Sequence, residues 1–152
     1  MTPQPTATPV PTAASTPTAA PTPTPVPTPT PKPTVKPIPA SKAPVTIGTF
    51  KMKLTEVKTS DNGMNGWVPA NKTADQTVLV IQATWISGGT FGQFLALSPS
   101  VTDETGAVFY MGSGLSIESE KAGIWMYNVP KTSSKFLWRF QSGEVIDLSP
   151  MM

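Results

Sequence analysis

Acid–base chemistry on this chain would fall to nine carboxylates, because histidine and cysteine are both absent. Histidine is the commonest general base near neutral pH and the commonest zinc ligand. Without cysteine there is no thiolate nucleophile, thiolate metal site or disulfide, although that absence does not itself fix the redox compartment. The carboxylates are Glu56, Asp61, Asp75, Asp103, Glu104, Glu118, Glu120, Glu144 and Asp147. A glycosidase needs two of these facing each other across a cleft, one with its pKa raised by burial. Here they fall mostly at turns and on the polar faces of strands, where solvation explains them, so no catalytic residue is assigned.

Asp61-Asn62-Gly63, with Asp75 a short way on, is a fragment of an oxygen-ligand loop. Calcium takes six to eight oxygens, and an EF-hand needs its closing bidentate Glu, which this loop lacks. Side-chain-to-backbone turn bonding is the simpler account of Asp61 and Asn62, so no metal or other cofactor is expected. Asn71-Lys72-Thr73 fits the N-glycosylation acceptor pattern, a motif common by chance. Met64, Met111 and Met126 are too scattered for a copper site and read as gap-fillers.

The four tryptophans are Trp67, Trp85, Trp125 and Trp138. Aromatic side chains either fill a core or, in a row on an exposed sheet face, stack on sugar rings. Trp85 follows the alternation of its strand and is expected inside, and Trp138 is assigned to the core. Trp67, in a long loop, and Tyr110 are the candidates for ligand contact.

The elements that must position these residues read as short strands. Phe50, Met52 and Leu54 alternate with Lys51, Lys53 and Thr55, and Val57 extends the run. Thr59 to Gly66 has turn composition. In Thr77–Ile86, Leu79, Ile81, Ala83 and Trp85 share one face, as in a central sandwich strand. Ser100–Thr102 and Ala107–Met111 flank Asp103-Glu104-Thr105-Gly106, a type I turn signal. Gly123–Val129, Ser134–Phe140 and Glu144–Leu148 complete about seven strands, with at most a turn of helix near Gly92–Leu97. The expected fold is all-β, an antiparallel Ig-like β-sandwich over residues 45–152.

Residues 1–44 differ in kind. They hold 15 of the 19 prolines, while every glycine, tryptophan and acidic residue lies beyond them. Proline stands at every second position from Pro21 to Pro33, which favours polyproline II and offers no apolar bulk for a core. This segment is expected to be a Pro/Thr-rich disordered stalk that holds a domain away from a surface. A ligand for an SH3-type groove is the lesser reading, because flanking arginines are missing. Thr/Pro richness also suits O-glycosylated stalks.

Removing Lys32, Lys36 and Lys42 leaves eight basic against nine acidic residues, so the pI near 9.0 comes from the stalk. No basic cluster remains to track a phosphate backbone, and nucleic-acid binding is not expected. The first 30 residues contain no apolar run of signal or membrane length. Met1 directly before linker-like sequence points to a chain that begins inside a longer gene product, with a signal or lipid anchor upstream.

The run Val45-Thr-Ile-Gly-Thr-Phe-Lys-Met-Lys-Leu-Thr-Glu-Val-Lys-Thr59 resembles the opening strand of a bacterial family. That family is the telokin-like, immunoglobulin-like domain of unknown function of surface lipoproteins. Val78–Thr84, Val101-Thr102-Asp103 with Gly106 and Tyr110, Tyr127-Asn128-Val129-Pro130, and Gly143 with Val145, Ile146 and Leu148 extend the resemblance over nearly all of residues 45–150. Trp85-Ile86 stands where the family often has Asn. The resemblance implies secretion or lipid anchoring and a sandwich fold, and it supplies no catalytic residues. The expected function is a non-catalytic, stalk-displayed extracellular or cell-surface module. Its partner would be a protein, a surface polysaccharide or further copies joined through sheet edges. The alternative is a carbohydrate-binding module tethered to a catalytic domain outside this chain.

Overall fold

The structure is a computed structural model and describes residues 35–152. The greater part of the expected stalk, residues 1–34, lies outside the described residues. Two five-stranded sheets face each other. One is ordered β1 (Ile38–Pro39), β10 (Val145–Asp147), β9 (Phe136–Arg139), β5 (Ser100–Asp103) and β6 (Val108–Phe109). The other is ordered β2 (Pro44–Ile47), β3 (Phe50–Ser60), β4 (Gln76–Ser87), β8 (Ala122–Pro130) and β7 (Ser113–Ile117). The sandwich is as expected, with ten strands among the described residues in place of about seven. All neighbours run antiparallel except β1 and β10, which are parallel.

The core forms where the inner faces meet. Leu79, Ile81 and Ala83 of β4 face Phe136 and Trp138 of β9 across a layer that includes Trp125, Tyr127 and Val129 of β8. Each large apolar side chain buried there contributes about 1.5–3 kcal/mol. Aromatic rings run through this layer from Phe94 to Trp125 (5.3 Å between centroids), on to Trp138 (5.3 Å) and then Phe140 (4.6 Å), all edge-on or nearly so. That geometry aims ring edges at π faces.

The alternation in β3 changes phase partway. Leu54 and Val57 are both buried although three residues apart, which strict period-two packing forbids. A β-bulge between Leu54 and Glu56 supplies the missing residue and turns Val57 inward. The helical turn near Gly92–Leu97 is α1 (Phe91–Leu95), and it survives at five residues because Thr90 and Gln93 cap each other. The Thr90 hydroxyl accepts from the Gln93 N–H (3.2 Å), and the Gln93 side-chain oxygen accepts from the Thr90 N–H (2.9 Å). Phe94 then plugs the core beneath it.

Three expectations need correction. Ile38–Pro39 and Pro44, assigned to the stalk, lie in strands, and Ala40 is buried in the core with its N–H on the Asp147 carbonyl (2.7 Å). The folded unit therefore starts before Val45. Prolines hid it, yet proline is tolerated on an edge strand. Trp85 is half-buried: it packs against the core but lies one residue past the end of the β4–β8 ladder at Thr84, and its indole N–H donates to the Gly88 carbonyl (2.9 Å). Asp103 is buried, not solvated like an ordinary turn acid.

Candidate binding surface

Beyond β3, the chain folds back over the outer face of the second sheet. Asn65 and Gly66 both have positive φ (50° and 81°), the signature of a type I′ turn, for which Asn-Gly is the preferred pair. The turn closes a tight hairpin in which Met64 and Trp67 exchange both backbone hydrogen bonds (3.1 and 2.8 Å). Its two sides do different work. Met64 packs onto Val78, Val80, Ile124 and Met126, a second apolar cluster on the outer face of β4 and β8. Trp67 is left 61% exposed.

The return of this loop is pinned. Pro69 is buried, and the Asn128 side-chain amide donates to the Ala70 carbonyl (3.0 Å). Pro69 lies against Gly112 so closely that a Cβ on that glycine would stand 2.8 Å from the Pro69 Cβ. Gly112 in turn donates to the Met126 carbonyl (2.9 Å). Trp67 is two residues before this contact on one segment, and Tyr110, 78% exposed, is two residues before it on the other. The structure thus brings the segments of both candidate residues together. Val68 and Met111 add exposed apolar surface beside them.

The acids are arranged otherwise. Asp103 Oδ1 accepts from the Thr105 hydroxyl (2.6 Å), the Thr105 N–H (2.9 Å) and the Ala107 N–H (3.1 Å), and Oδ2 accepts from the Ser133 hydroxyl (2.9 Å). The Thr105 hydroxyl is the largest of several bonds that hold its carboxyl below the usual range against the opposing effect of desolvation. Glu104 accepts from the backbone of Ser134 and Lys135 and is likewise lowered, chiefly by backbone N–H groups. Carboxyls held ionised in this way are poor proton donors near neutral pH.

Asp61 and Asp75 both come to Lys131. Asp61 pairs with its ammonium (3.5 Å), and the Asp75 carbonyl accepts its backbone N–H (3.0 Å). The Asp75 carboxylate takes the Thr73 hydroxyl (2.5 Å), which lowers its pKa. A cation loop needs such oxygens converging without an ammonium among them. Asn71 is exposed, with φ of 63°.

Sequence reasoning missed two features. A hollow of about 390 Å³ opens at one end of the sandwich between Phe50, Leu97, Pro99 and Phe140, with Ser142 at its rim. Its walls come from three separate turns, so no local motif marks it. The other feature is β7, whose Ser-Gly-Leu-Ser-Ile sequence carries too little apolar alternation to be read as a strand.

No protein-family model and no curated protein matches the chain. Among solved structures, the chain is similar to an uncharacterized β-sandwich protein from Clostridium difficile 630, known from a crystal structure at 1.90 Å resolution. The two share 7% identity at a TM-score of 0.51, over 76% of this chain and 95% of that one. Identity so low shows the fold alone, and on that footing the chain is a β-sandwich protein.

Proposed function

We propose that the chain is a non-catalytic binding module displayed outside the cell on its Pro/Thr-rich segment, and that the surface around Trp67 and Tyr110 makes the contact. The observation that carries this reading is the exposure of these two aromatic side chains on segments locked together at Pro69 and Gly112. Large exposed aromatics on a rigid support are characteristic of contact surfaces, since they offer area at little conformational cost. The lack of histidine and cysteine and the lowered pKa values of Asp103 and Glu104 support a role without catalysis. Placement among the telokin-like domains of surface lipoproteins belongs to the same proposal and rests on the strand and turn motifs of residues 45–150.

The exposed indole of Trp67 favours a second reading, a carbohydrate-binding module tethered to a catalytic domain elsewhere. Affinity electrophoresis in gels containing soluble glucan, xylan or mannan tests it directly. Retardation that is lost in Trp67→Ala supports glycan binding, and equal mobility in every gel removes that reading. The broader proposal is tested by pull-down on isolated cell-wall material, where Trp67→Ala and Tyr110→Ala should each reduce retention.

A further inference from the structure

A β-sandwich has sheet edges, and an unguarded edge is a template for another strand. Three of the edge strands here are blunted. β1 spans two residues and lies between Pro37 and the proline of its own second position, Pro39. β6 also spans two residues. β2 begins at Pro44, and beyond it the edge passes to β3, which there carries the Leu54/Glu56 bulge and the Glu56–Lys58 ion pair (2.9 Å). β7 has none of these devices. It spans five residues, Ser113 to Ile117, without proline or charge, and among the described residues it has a neighbour only on the β8 side.

The side chains of β7 show what is missing beside it. Leu115 and Ile117 point to the outer face, where they are half-buried members of the cluster formed by Val78, Val80, Ile124 and Met126. The cluster therefore stops, half open, on the edge strand itself. On the opposite face β7 presents only Gly114 and Ser116, both exposed, with the Met111 side chain lying against Gly114.

We infer that β7 is a homophilic edge: two copies of this chain pair antiparallel through β7, about a two-fold axis at Leu115. This goes beyond the contact surface at Trp67 and Tyr110: it concerns a separate edge of the sandwich and names a second copy as the partner there. In that register Leu115 faces Leu115 of the other copy, and Ser113 faces Ile117. All of these side chains lie on the outer face, so the two open clusters close on each other. Cross-strand apolar pairs of this kind are the stabilising unit of a sheet. The flanking charges select the antiparallel arrangement. Parallel pairing would set Glu118 and Glu120 beside their own copies, a repulsive contact. Antiparallel pairing sends the two Glu118 residues to opposite ends of the ladder, six residues or about 20 Å apart at the usual strand rise. The joined sheet has ten strands, and the isologous contact closes on itself without growing into a fibre.

The absence of cysteine makes the test direct. Residues directly opposite in an antiparallel pair have Cα atoms about 4.5–5.5 Å apart, inside the roughly 4.4–6.8 Å that a disulfide spans. Leu115→Cys in the full chain should cross-link to a covalent dimer under mild oxidation, while Thr46→Cys on β2 should not. Sedimentation equilibrium of the unaltered chain should show a concentration-dependent doubling of mass, and Ser116→Lys should abolish it. Ser116 is exposed, so its replacement leaves the fold intact, which circular dichroism checks. A chain that stays monomeric at millimolar concentration, or Leu115→Cys that cross-links no faster than Thr46→Cys, overturns the proposal. Glycan or cell-wall retention that persists in Ser116→Lys shows that the binding reading stands apart from the edge.

Discussion

The Tyr127 hydroxyl accepts the indole N–H of Trp138 (2.9 Å) and donates to the Pro99 carbonyl (2.9 Å), so one buried oxygen ties β8 of one sheet to β9 of the other and to the loop after α1. Burial pushes its phenol pKa well up, and the hydroxyl stays protonated as a donor. Tyr127→Phe keeps the ring but strands an N–H and a carbonyl in the core. The expected loss is about 1–3 kcal/mol, the cost of leaving buried polar groups unpaired. Urea denaturation of the variant measures it, and an unchanged midpoint would show that the bridge contributes nothing.

Asp103 should give stability an acid limb. Its folded-state pKa is depressed, with the Thr105 hydroxyl the first cause, so its contribution is complete above the unfolded value of about 3.9 and lost as pH falls through the lower folded value. The melting temperature of the unaltered chain is expected to hold between neutral pH and about 5 and to drop steeply below about 4. Asp103→Asn should melt lower at pH 7 and show a shallower acid limb, since Glu104 and Glu144 still contribute theirs. A melting profile parallel to that of the unaltered chain at every pH would count against the assignment.

Trp67 and Tyr110 should matter little to folding. Both are largely exposed, and exposed positions away from caps and strained backbone usually change stability by less than about 0.5 kcal/mol. The double alanine variant is expected to keep its denaturation midpoint while losing retention on cell-wall material. Gly66→Val, by contrast, forces a branched side chain into positive φ and should destabilise the hairpin and misplace Trp67. A midpoint drop in the double alanine variant would mean that these rings belong to the structure and not to a contact surface.

Residues 35–44 should be needed for full stability. A chain starting at Val45 loses β1, the buried Ala40 and its bond to Asp147, and the first residue of β2. Each backbone hydrogen bond lost is worth about 1 kcal/mol net. The shortened chain is expected to unfold at a lower urea concentration than one starting at Val35, and equal midpoints would return these residues to the stalk.

The inward face of β4 and the core place of Trp138 were legible because pattern and burial agree there: Leu79, Ile81, Ala83 and Trp138 are all buried in the inner layer. By contrast, β8 is buried on both faces from Ala122 to Tyr127 and shows no alternation to read. Legibility failed where one physical signal masked another. Pro37 and Pro39 read as polyproline although the chain between them forms a ladder with β10. β7 was hidden because three of its five residues are glycine or serine. Asp103 carried every mark of a solvated turn acid, and only the three-dimensional approach of Ser133, thirty residues away, shows it buried. The exposure of Trp67 could be expected from its loop, whereas its proximity to the Tyr110 segment depends on Pro69 meeting Gly112, a contact that no local pattern encodes.

The parallel pairing of β1 with β10 has a mechanical consequence. The Pro/Thr-rich segment enters at the start of β1, while the chain leaves from the end of β10, and in a parallel pair those points lie at opposite ends of the ladder. Tension applied between the two ends of the chain therefore slides one strand along the other and loads their hydrogen bonds together. An antiparallel pair in the same place would instead be peeled open one bond at a time. In single-molecule pulling, the expected signature is an early force peak that disappears when Ala40→Pro removes the N–H bound to Asp147.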